Sequence, residues 1–286
     1  EISTKLRNVG IQHVLHVSDF CGMGLRTAKE LCEKGHRHLI VIGGDGTINE
    51  VVNGIFLSGV DPHEVFLSVL PLGRGNDWSR AHGFPKDFRK SIEVMLKGHF
   101  IQHDIGMVRS IQDGGKTFKR YFINIAGFCF DAEVIYDVAH NKPHIPGVSV
   151  YMLSLVRTLF RYKSKKIKVE SPDFTHESKT FLMVAAIGKY NGGGMLQAPD
   201  SVADDGLFDV VIIPKVSNVQ VIANVKNIFD GTHINKIESI KCYRTNKLTI
   251  SSKSPVRGEV EGELLPLGQY EIDMLPNALN VLTALK

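Results

Sequence analysis

Hydrophobic and polar positions follow two different periods in the two parts of this chain. In the first part, short apolar runs alternate with stretches of helical spacing. His38-Leu39-Ile40-Val41-Ile42 is a short β-branched run ending in glycine, which predicts a buried strand of a parallel sheet. After the following loop, Ile48, Val51, Val52, Ile55 and Phe56 recur at i, i+3, i+4, i+7 and i+8, which predicts a helix with one face packed on that sheet. Phe66 to Leu70 predicts a second buried strand, followed by a short helix starting near Asn76. Another helix is expected over Asp87 to Gly98, with Phe88, Ile92, Met95 and Leu96 inward. Upstream, Leu25, Ala28, Leu31 and Cys32 mark a helix face between Gly22 and Gly35, with Gly35 as the C-cap. Ser3 to Val17 gives a partial helix and a short apolar run.

Beyond about Phe100 the pattern changes to strands joined by turns. Phe100 to Arg109 and Thr117 to Ala126 flank Gln112-Asp113-Gly114-Gly115, a hairpin signal. Further strands are expected at Lys165 to Ser171, Lys179 to Gly188, Leu207 to Ile213, Lys247 to Ser251 and Pro255 to Glu261. Two helices interrupt them. Gly147 to Tyr162 is mostly apolar, and Val216 to Phe229 has an ordinary amphipathic face. The reading is an α/β chain: an N-terminal parallel-sheet domain, then an antiparallel β-rich domain from residue 104.

With 286 residues and 43% hydrophobic composition, the chain can bury a large core, enough for one large or two moderate domains. The net charge of +4 permits attraction to nucleotides or anionic membranes and does not require nucleic acid, which is not expected as a partner. Cys21, Cys32, Cys129 and Cys242 have no CxxC spacing, so free thiols in a reducing compartment are expected. The twelve histidines are scattered without HExxH, which argues against a zinc site. No apolar run approaches the roughly twenty residues that span a bilayer. The first residue shown is Glu and not Met, so a targeting segment ahead of it stays open.

The candidate chemistry begins in Gly43-Gly44-Asp45-Gly46-Thr47, between the first strand and its helix. Glycines allow a tight turn and close backbone approach to a ligand, and the first amides of a helix are unpaired donors in a dipole that favours anions. Phosphate is the expected guest. Asp45 then suits a carboxylate meeting phosphate-bound Mg²⁺, since a bare carboxylate would repel phosphate. Thr47 is a candidate N-cap or phosphate ligand. Simple tight packing is the competing reading of the glycines. The loop is not a Walker A motif, because no Lys-Ser or Lys-Thr follows, and it lacks the third glycine of a dinucleotide fingerprint.

Gly-Gly-Asp-Gly-Thr followed by Ile-Asn-Glu-Val-Val-Asn-Gly-Ile resembles the nucleotide loop of the diacylglycerol kinase catalytic family, which includes bacterial lipid kinases and sphingosine and ceramide kinases. The pentapeptide alone is shared with NAD kinases and, in variant form, phosphofructokinases. Pro71-Leu72-Gly73-Arg74-Gly75-Asn76-Asp77-Trp78-Ser79-Arg80 resembles a second signature of the same family, with Arg74 in place of the usual Thr. Asn124 to Ala132 resembles a third. The resemblance implies a three-layer N-terminal domain over 1–103 of phosphofructokinase and NAD-kinase type, completed by 276–286, and a lipid-acceptor sandwich over 104–275. It implies that ATP lies across Gly43 to Thr47 and Gly73, Arg74, Gly75 and Asn76, with Asp77 toward the acceptor. The family also has a first strand ending in an Asn-Pro and glycine loop that touches nucleotide, and this sequence begins after that point.

Acidic residues complete the picture. Asn191 to Leu207 is a glycine-rich loop followed by Asp200, Asp204 and Asp205. The family's Asp-Gly-Leu holds a structural Mg²⁺, which implies Asp204 or Asp205 with the Leu207 carbonyl, although the position three residues earlier is Val202. Glu261-Gly262-Glu263 stands where the family has Asp-Gly-Glu. The resemblance implies Glu261 as general base on the lipid hydroxyl and Glu263 in support, with one added methylene shifting the reach of the base. Glu259 alternates to the same face and is a substitute candidate. The functional expectation is an ATP- and Mg²⁺-dependent lipid kinase of phospholipid metabolism with Asp45 and Glu261 at its chemical centre. It would be cytoplasmic and peripheral on the inner membrane face, with a homodimer left open. An NAD kinase relative and a non-catalytic nucleotide or lipid sensor are the alternatives. Lys163, Lys165, Lys166 and Lys168, following the apolar helix, are either a solvated strand face or a contact for anionic lipid.

Overall fold

The computed structural model describes residues 2–8, 10–112, 114–141 and 148–284. The chain opens with α1 (Ile2–Asn8), which buries Leu6. Residues 11–19 then run without regular structure, and Val14, Leu15 and Val17 are exposed, so the apolar run expected there forms no strand; Val9, within the expected Ser3 to Val17 stretch, lies outside the described residues. Helix α2 (Met23–Glu33) ends on Lys34, with Gly35 one position beyond the cap at φ 92°. Next come β1 (His38–Gly43), α3 (Asp45–Leu57), β2 (Phe66–Pro71), α4 (Asp77–Ala81) and α5 (Phe88–Lys97). In α5, Ile92 and Met95 are buried as expected, but Leu96 is 43% exposed, and Ser91 takes the third buried position of the helix instead.

The remaining elements are β3 (His99–Ile111), β4 (Thr117–Phe122), β5 (Ile125–Cys129), α6 (Phe130–His140), α7 (Val148–Arg161), β6 (Lys165–Glu170), β7 (Thr175–Ala186), β8 (Phe208–Pro214), α8 (Asn218–Phe229) and α9 (His233–Lys236). They are followed by β9 (Lys241–Thr245), β10 (Lys247–Ser251), β11 (Gly258–Val260), β12 (Glu263–Leu264) and β13 (Gln269–Thr283). The turn residue Asp113 and the start of the apolar helix at Gly147 lie outside the described residues, as do 285 and 286 of the expected closing segment. The strand expected over Thr117 to Ala126 is two strands, and α6, α9, β9, β12 and β13 are additional to the expected elements, the last carrying most of the expected closing segment.

Strands β1 and β2 are parallel, with His38 opposite Phe66 and Gly43 opposite Pro71. They therefore finish level and deliver their glycine bends to the same sheet edge. Strand β13 joins this parallel part to the antiparallel part. Its first half pairs antiparallel with β10, its end pairs parallel with β2 at Asn280 and Val281, and β3 runs antiparallel beside it from Thr283 back to Gln269. The hydrogen-bonded order β1-β2-β13-β10-β6-β7-β5-β11-β12 makes one continuous mixed sheet. One core cluster packs α2, α3 and α5 against β1 and β2, a second fills the antiparallel half, and a third lies under α6 and α7.

The β3–β13 ladder shifts between Leu275 and Leu279, and Asp104 occupies the shift. Its fully buried carboxylate accepts the Asn277 N–H at 2.7 Å and the Gly206 N–H at 2.6 Å, while its own amide donates to the Ala203 carbonyl at 2.8 Å. One carboxylate thus fixes the irregularity and docks the 203–206 turn. Beside it, His103 and His82 meet at 3.2 Å between their Nε2 atoms, under the stacked Trp78 ring. Burial holds the His82 pKa well below its ordinary value and lowers that of His103 to about 4.

Two predictions follow from this joint. Asp104→Ala removes the shared acceptor of the part-buried Asn277 and Gly206 N–H groups and should cost about 2 kcal/mol, read as a lower urea midpoint at unchanged m-value. The histidines have folded-state pKa values below their unfolded ones, so their contribution is present above about pH 6.5 and lost as pH falls toward about 4. The unfolding midpoint should drop through that window, and the drop should flatten in the His82→Gln, His103→Gln double variant.

Candidate active site

The two glycine bends touch. A Cβ built on Gly44 would lie 2.9 Å from the Gly73 Cα, and one on Gly73 would lie closer still to Gly44, so glycine is required on both sides. Asn76, in the left-handed region at φ 52°, closes the second bend on itself: its Oδ1 accepts the Gly73 N–H and its Nδ2 donates to the Gly73 carbonyl, each at 2.9 Å. Asp45 fastens the bends together. Its carboxylate accepts the Asp77 N–H at 3.2 Å and the Trp78 N–H at 3.0 Å, capping α4 from another segment. Asn76 stands at the N-cap position of α4 but makes no side-chain cap bond, because its side-chain amide is committed to Gly73. Thr47 is corrected: Gly44 is the N-cap of α3, and Thr47 lies within the first turn, against Gly43.

Glu261 arrives from the antiparallel half. Strands β11 and β12 pair Val260 with Glu263, leaving Glu261 and Gly262 as a two-residue turn. Both have positive φ, 50° and 85°, as a type I′ hairpin requires. The turn aims Glu261 at the break between β4 and β5, where its Oε1 accepts the Ile123 N–H at 2.7 Å and the Asn124 N–H at 2.9 Å. That is the physical reason one expected strand became two: these amides serve a side chain instead of a neighbouring strand.

Asp45, Gly75, Asp77 and Glu261 line a single cavity of about 170 Å³, together with Asn124, Asp131, Asn191, Gly192, Gly193, Glu259 and Gly262. Carboxylates crowd it. Asp77 accepts the Gly193 N–H at 2.7 Å through Oδ2, while its Oδ1 is buried with no hydrogen bond, 3.9 Å from the Arg80 guanidinium. Burial raises its pKa, with the Asp45 charge adding and the Gly193 amide opposing. Glu259 accepts the Gly262 N–H at 2.7 Å, and its other oxygen faces Asp131 across Gly127, where no Cβ would fit. Burial raises both Glu259 and Asp131. The Glu261 carboxyl is pushed up to about 7 by burial, with the two amide donors and Arg120 opposing and the Asp45 charge adding.

The other expected site residues lie further out. Arg74 is exposed and pairs with no carboxylate among the described residues. Glu263 is half-buried on β12, outside the cavity lining. Asp205 forms an ion pair with Arg244 and caps the Leu207 N–H at 3.1 Å, and neither Asp204, Asp205 nor Leu207 lines the cavity. Among the described residues no three His, Cys, Asp or Glu side chains form a ready metal cage. All four cysteines are free thiols.

Sequence reasoning missed Asn49 and Asn53. These two buried residues of α3, one turn apart, bind the exposed edge of β4: both side-chain amides donate to the Tyr121 carbonyl, at 3.0 and 2.8 Å, and Asn53 Oδ1 accepts the Tyr121 N–H at 2.9 Å. They hold α3, the helix that follows the first glycine bend, against the strand that leads to Glu261's amides. Their signal was two polar residues on the inward face of an apolar helix. Asp131 and Gln197, both buried, were likewise unremarked; Asn191 donates to Asp131 at 2.9 Å and to Gln197 at 3.3 Å.

Comparison with known proteins adds independent findings. The profile of the diacylglycerol kinase catalytic domain matches residues 1–108, and that of the YegS C-terminal NAD kinase beta sandwich-like domain matches residues 125–283. The chain is 28% identical to a diacylglycerol kinase of Bacillus subtilis over 96% of this chain and 90% of that one. It is 27% identical to a diacylglycerol kinase of Staphylococcus saprophyticus over 92% of this chain and 82% of that one. A crystal structure of a diacylglycerol kinase from Bacillus anthracis superposes with a TM-score of 0.68 at 18% identity, covering 96% of this chain and 85% of the other.

The cavity generates one direct prediction. In a ¹³C-carboxyl titration, the Glu261 resonance should move with a midpoint near pH 7, and Arg120→Ala, which removes an opposing positive charge, should move it higher. A midpoint at the ordinary glutamate value would contradict the burial described here.

Proposed function

The chain belongs to the diacylglycerol kinase catalytic family, with a YegS-type sandwich over more than half its length, and from that premise we propose that it is an ATP-dependent lipid kinase phosphorylating a diacylglycerol-like hydroxyl. The observation that carries this reading is the meeting of Asp45, Gly75, Asp77 and Glu261 around one cavity. At about 170 Å³ the cavity is smaller than the roughly 300 Å³ of the smallest usual ligand pockets, so it suits the reacting phosphoryl and hydroxyl ends while the bodies of both substrates lie outside.

The triphosphate would lie along the two glycine bends. Space beside Gly46 is open, the first-turn amides of α3 lack intrahelical acceptors, and Arg74 is an exposed cation at the second bend. The lipid oxygen forms its bond to the γ-phosphorus as the bond from that phosphorus to the β,γ-bridging oxygen breaks. ADP departs with the electron pair, and the hydroxyl proton goes to a Glu261 oxygen. A carboxyl with a pKa of about 7 is matched to that task near neutral pH, and its two amide donors fix its direction.

The donor set also fits Mg²⁺. The crowded carboxylates and the buried Oδ1 of Asp77, which accepts no hydrogen bond and has Arg80 only at 3.9 Å, offer hard oxygen donors, and Mg²⁺ commonly takes one or two carboxylates plus substrate phosphates. Asp77 and Asp45 would hold it, and it would supply charge neutralisation on the phosphate oxygens. The lipid acceptor implies work at a membrane surface. Helix α7 exposes Leu153, Val156 and Phe160 beside Lys163 and Lys165, whereas Lys166 and Lys168 are engaged by Glu177 and Glu170. Among the described residues no helix is long and apolar enough to cross a bilayer.

The test is incubation with labelled ATP, Mg²⁺ and a panel of lipids and NAD. Label should appear in a lipid; transfer to NAD alone, or tight ATP binding without transfer, overturns the reading. Glu261→Gln should lower kcat by about 10² while the fold stays intact by circular dichroism. The base works deprotonated, so wild-type kcat/KM should rise with pH through about 7 and level off above it, and the variant should lose that rise.

A further inference from the structure

Helix α8 presents its apolar residues outward. Among its twelve residues none is buried, and Val219, Ile222, Val225 and Phe229 are 75%, 56%, 42% and 46% exposed. A surface helix ordinarily turns such residues to the core and its polar ones to water. Here the inner flank is held by Val221, packed on the third core cluster, and by the Ile228 carbonyl, while the exposed residues form a separate stripe at i, i+3, i+6 and i+10. The helix is firmly made nonetheless: Ser217 and Gln220 form a full capping box at its start. The outward stripe is therefore a property of a well-defined element.

Charge identifies what the stripe meets. Helix α8 has no acidic residue, and Lys226 falls on the flank of the stripe. Lys215 precedes the helix, and Lys236 and Lys241 follow, all exposed; Asp230 and Glu238 are the acidic residues in the same span. Asp230 is exposed just past the end of the helix, where its carboxylate accepts the Thr232 N–H at 3.0 Å and hydroxyl at 2.6 Å, and the four lysines outnumber it and Glu238 two to one. A second copy packed two-fold on this stripe would bring Lys226 against a helix without carboxylates, and four side chains fall well short of the roughly 800 Å² per partner of a stable interface. An anionic lipid surface satisfies both features, taking the apolar side chains into the acyl boundary and the lysines at the headgroups.

The stripe is also wired to the cavity. The Ile228 carbonyl, at the end of α8, accepts the Leu196 N–H at 2.9 Å, and Leu196 follows directly on the loop closed by the Asn191–Met195 bridge, whose Asn191, Gly192 and Gly193 form one wall of the cavity. We infer that the outer face of α8 is a docking surface for an anionic lipid bilayer, which brings the 191–195 wall to the membrane so that the acceptor enters the cavity from the bilayer. This rests on the lipid-kinase reading for the acceptor but not for the docking.

The full chain, its Ile222→Glu, Phe229→Glu double variant and a Lys226→Glu variant are assayed by co-sedimentation with phosphatidylcholine vesicles with and without phosphatidylglycerol. The same proteins are assayed for kinase activity on short-chain diacylglycerol dispersed in water and on diacylglycerol embedded in the anionic vesicles. The wild type should bind the anionic vesicles preferentially, and the double variant should bind them about tenfold more weakly. Lys226→Glu should lose about fivefold, and only on anionic vesicles. Activity on embedded diacylglycerol should fall in parallel, with activity on the dispersed lipid unchanged. Vesicle binding equal in wild type and double variant overturns the inference, as does a wild-type dimer in sedimentation velocity that the double variant breaks without losing vesicle binding. If no protein phosphorylates the dispersed lipid while the variants lose vesicle binding, the docking stands and the kinase reading falls.

Discussion

Carboxylates held by backbone amides from a different segment are the joints of this protein. Asp45 takes the first amides of α4, Glu261 those of Ile123 and Asn124, Asp77 that of Gly193, and Asp104 those of Asn277 and Gly206. Hydrogen bonds of N–H groups to an ionised acceptor are among the stronger ones, each worth about 1.5 to 3 kcal/mol net, and they fix both position and direction. Each bond also ties together pieces of chain far apart in sequence. The cavity depends on this, since its lining comes from the ends of separate strands whose mutual placement no single element controls.

The same bonds make the charge crowding tolerable. Asp45, Asp77, Asp131, Glu259 and Glu261 share one small volume, and burial together with like-charge repulsion drives several of them toward the protonated form. Amide donors oppose that drift. The balance differs from group to group: Glu261, with two donors, comes to rest near neutrality at about 7, whereas Glu259, with one amide and an unpartnered oxygen beside Asp131, is pushed well above the usual range. Environment, not residue type, makes the difference between these two glutamates. A turn with two positive φ angles directs the Glu261 side chain onto the β4–β5 break.

The sheet supplies the frame for these joints. Because β1 and β2 end level, the bends after them are adjacent, and because β3 and β13 run through both halves, the antiparallel part cannot pivot freely about the parallel part. Asn49 and Asn53 add a second strut, from α3 to the edge of β4. On the far layer, α6 to α9 cover one face of β7 and β8, and α8 reaches back to the cavity wall through Leu196. A displacement of α8 would be transmitted to the loop carrying Asn191 and Gly193.

The sequence by itself determined whatever depends on neighbours a few residues away. Periodicity marked β1, α3, β2 and α5, because burying one face imposes a spacing of two or 3.6 on any chain. The glycine bends were legible since few other residues can turn so tightly, and the paired motifs marked Asp45, Asp77 and Glu261. Where local pattern competed with distant partners, it gave the wrong answer: Thr47 looked like a cap, and Thr117 to Ala126 looked like one strand. Only the tertiary structure decided that Asp45 caps α4, that Glu261 claims the amides of Ile123 and Asn124, that β13 threads both halves of the sheet, and that the apolar stripe of α8 faces outward. The physical reason is the same in each case. A hydrogen-bond acceptor or an apolar face has no preferred partner until the fold brings one within reach, and sequence spacing records the need for a partner without recording which one.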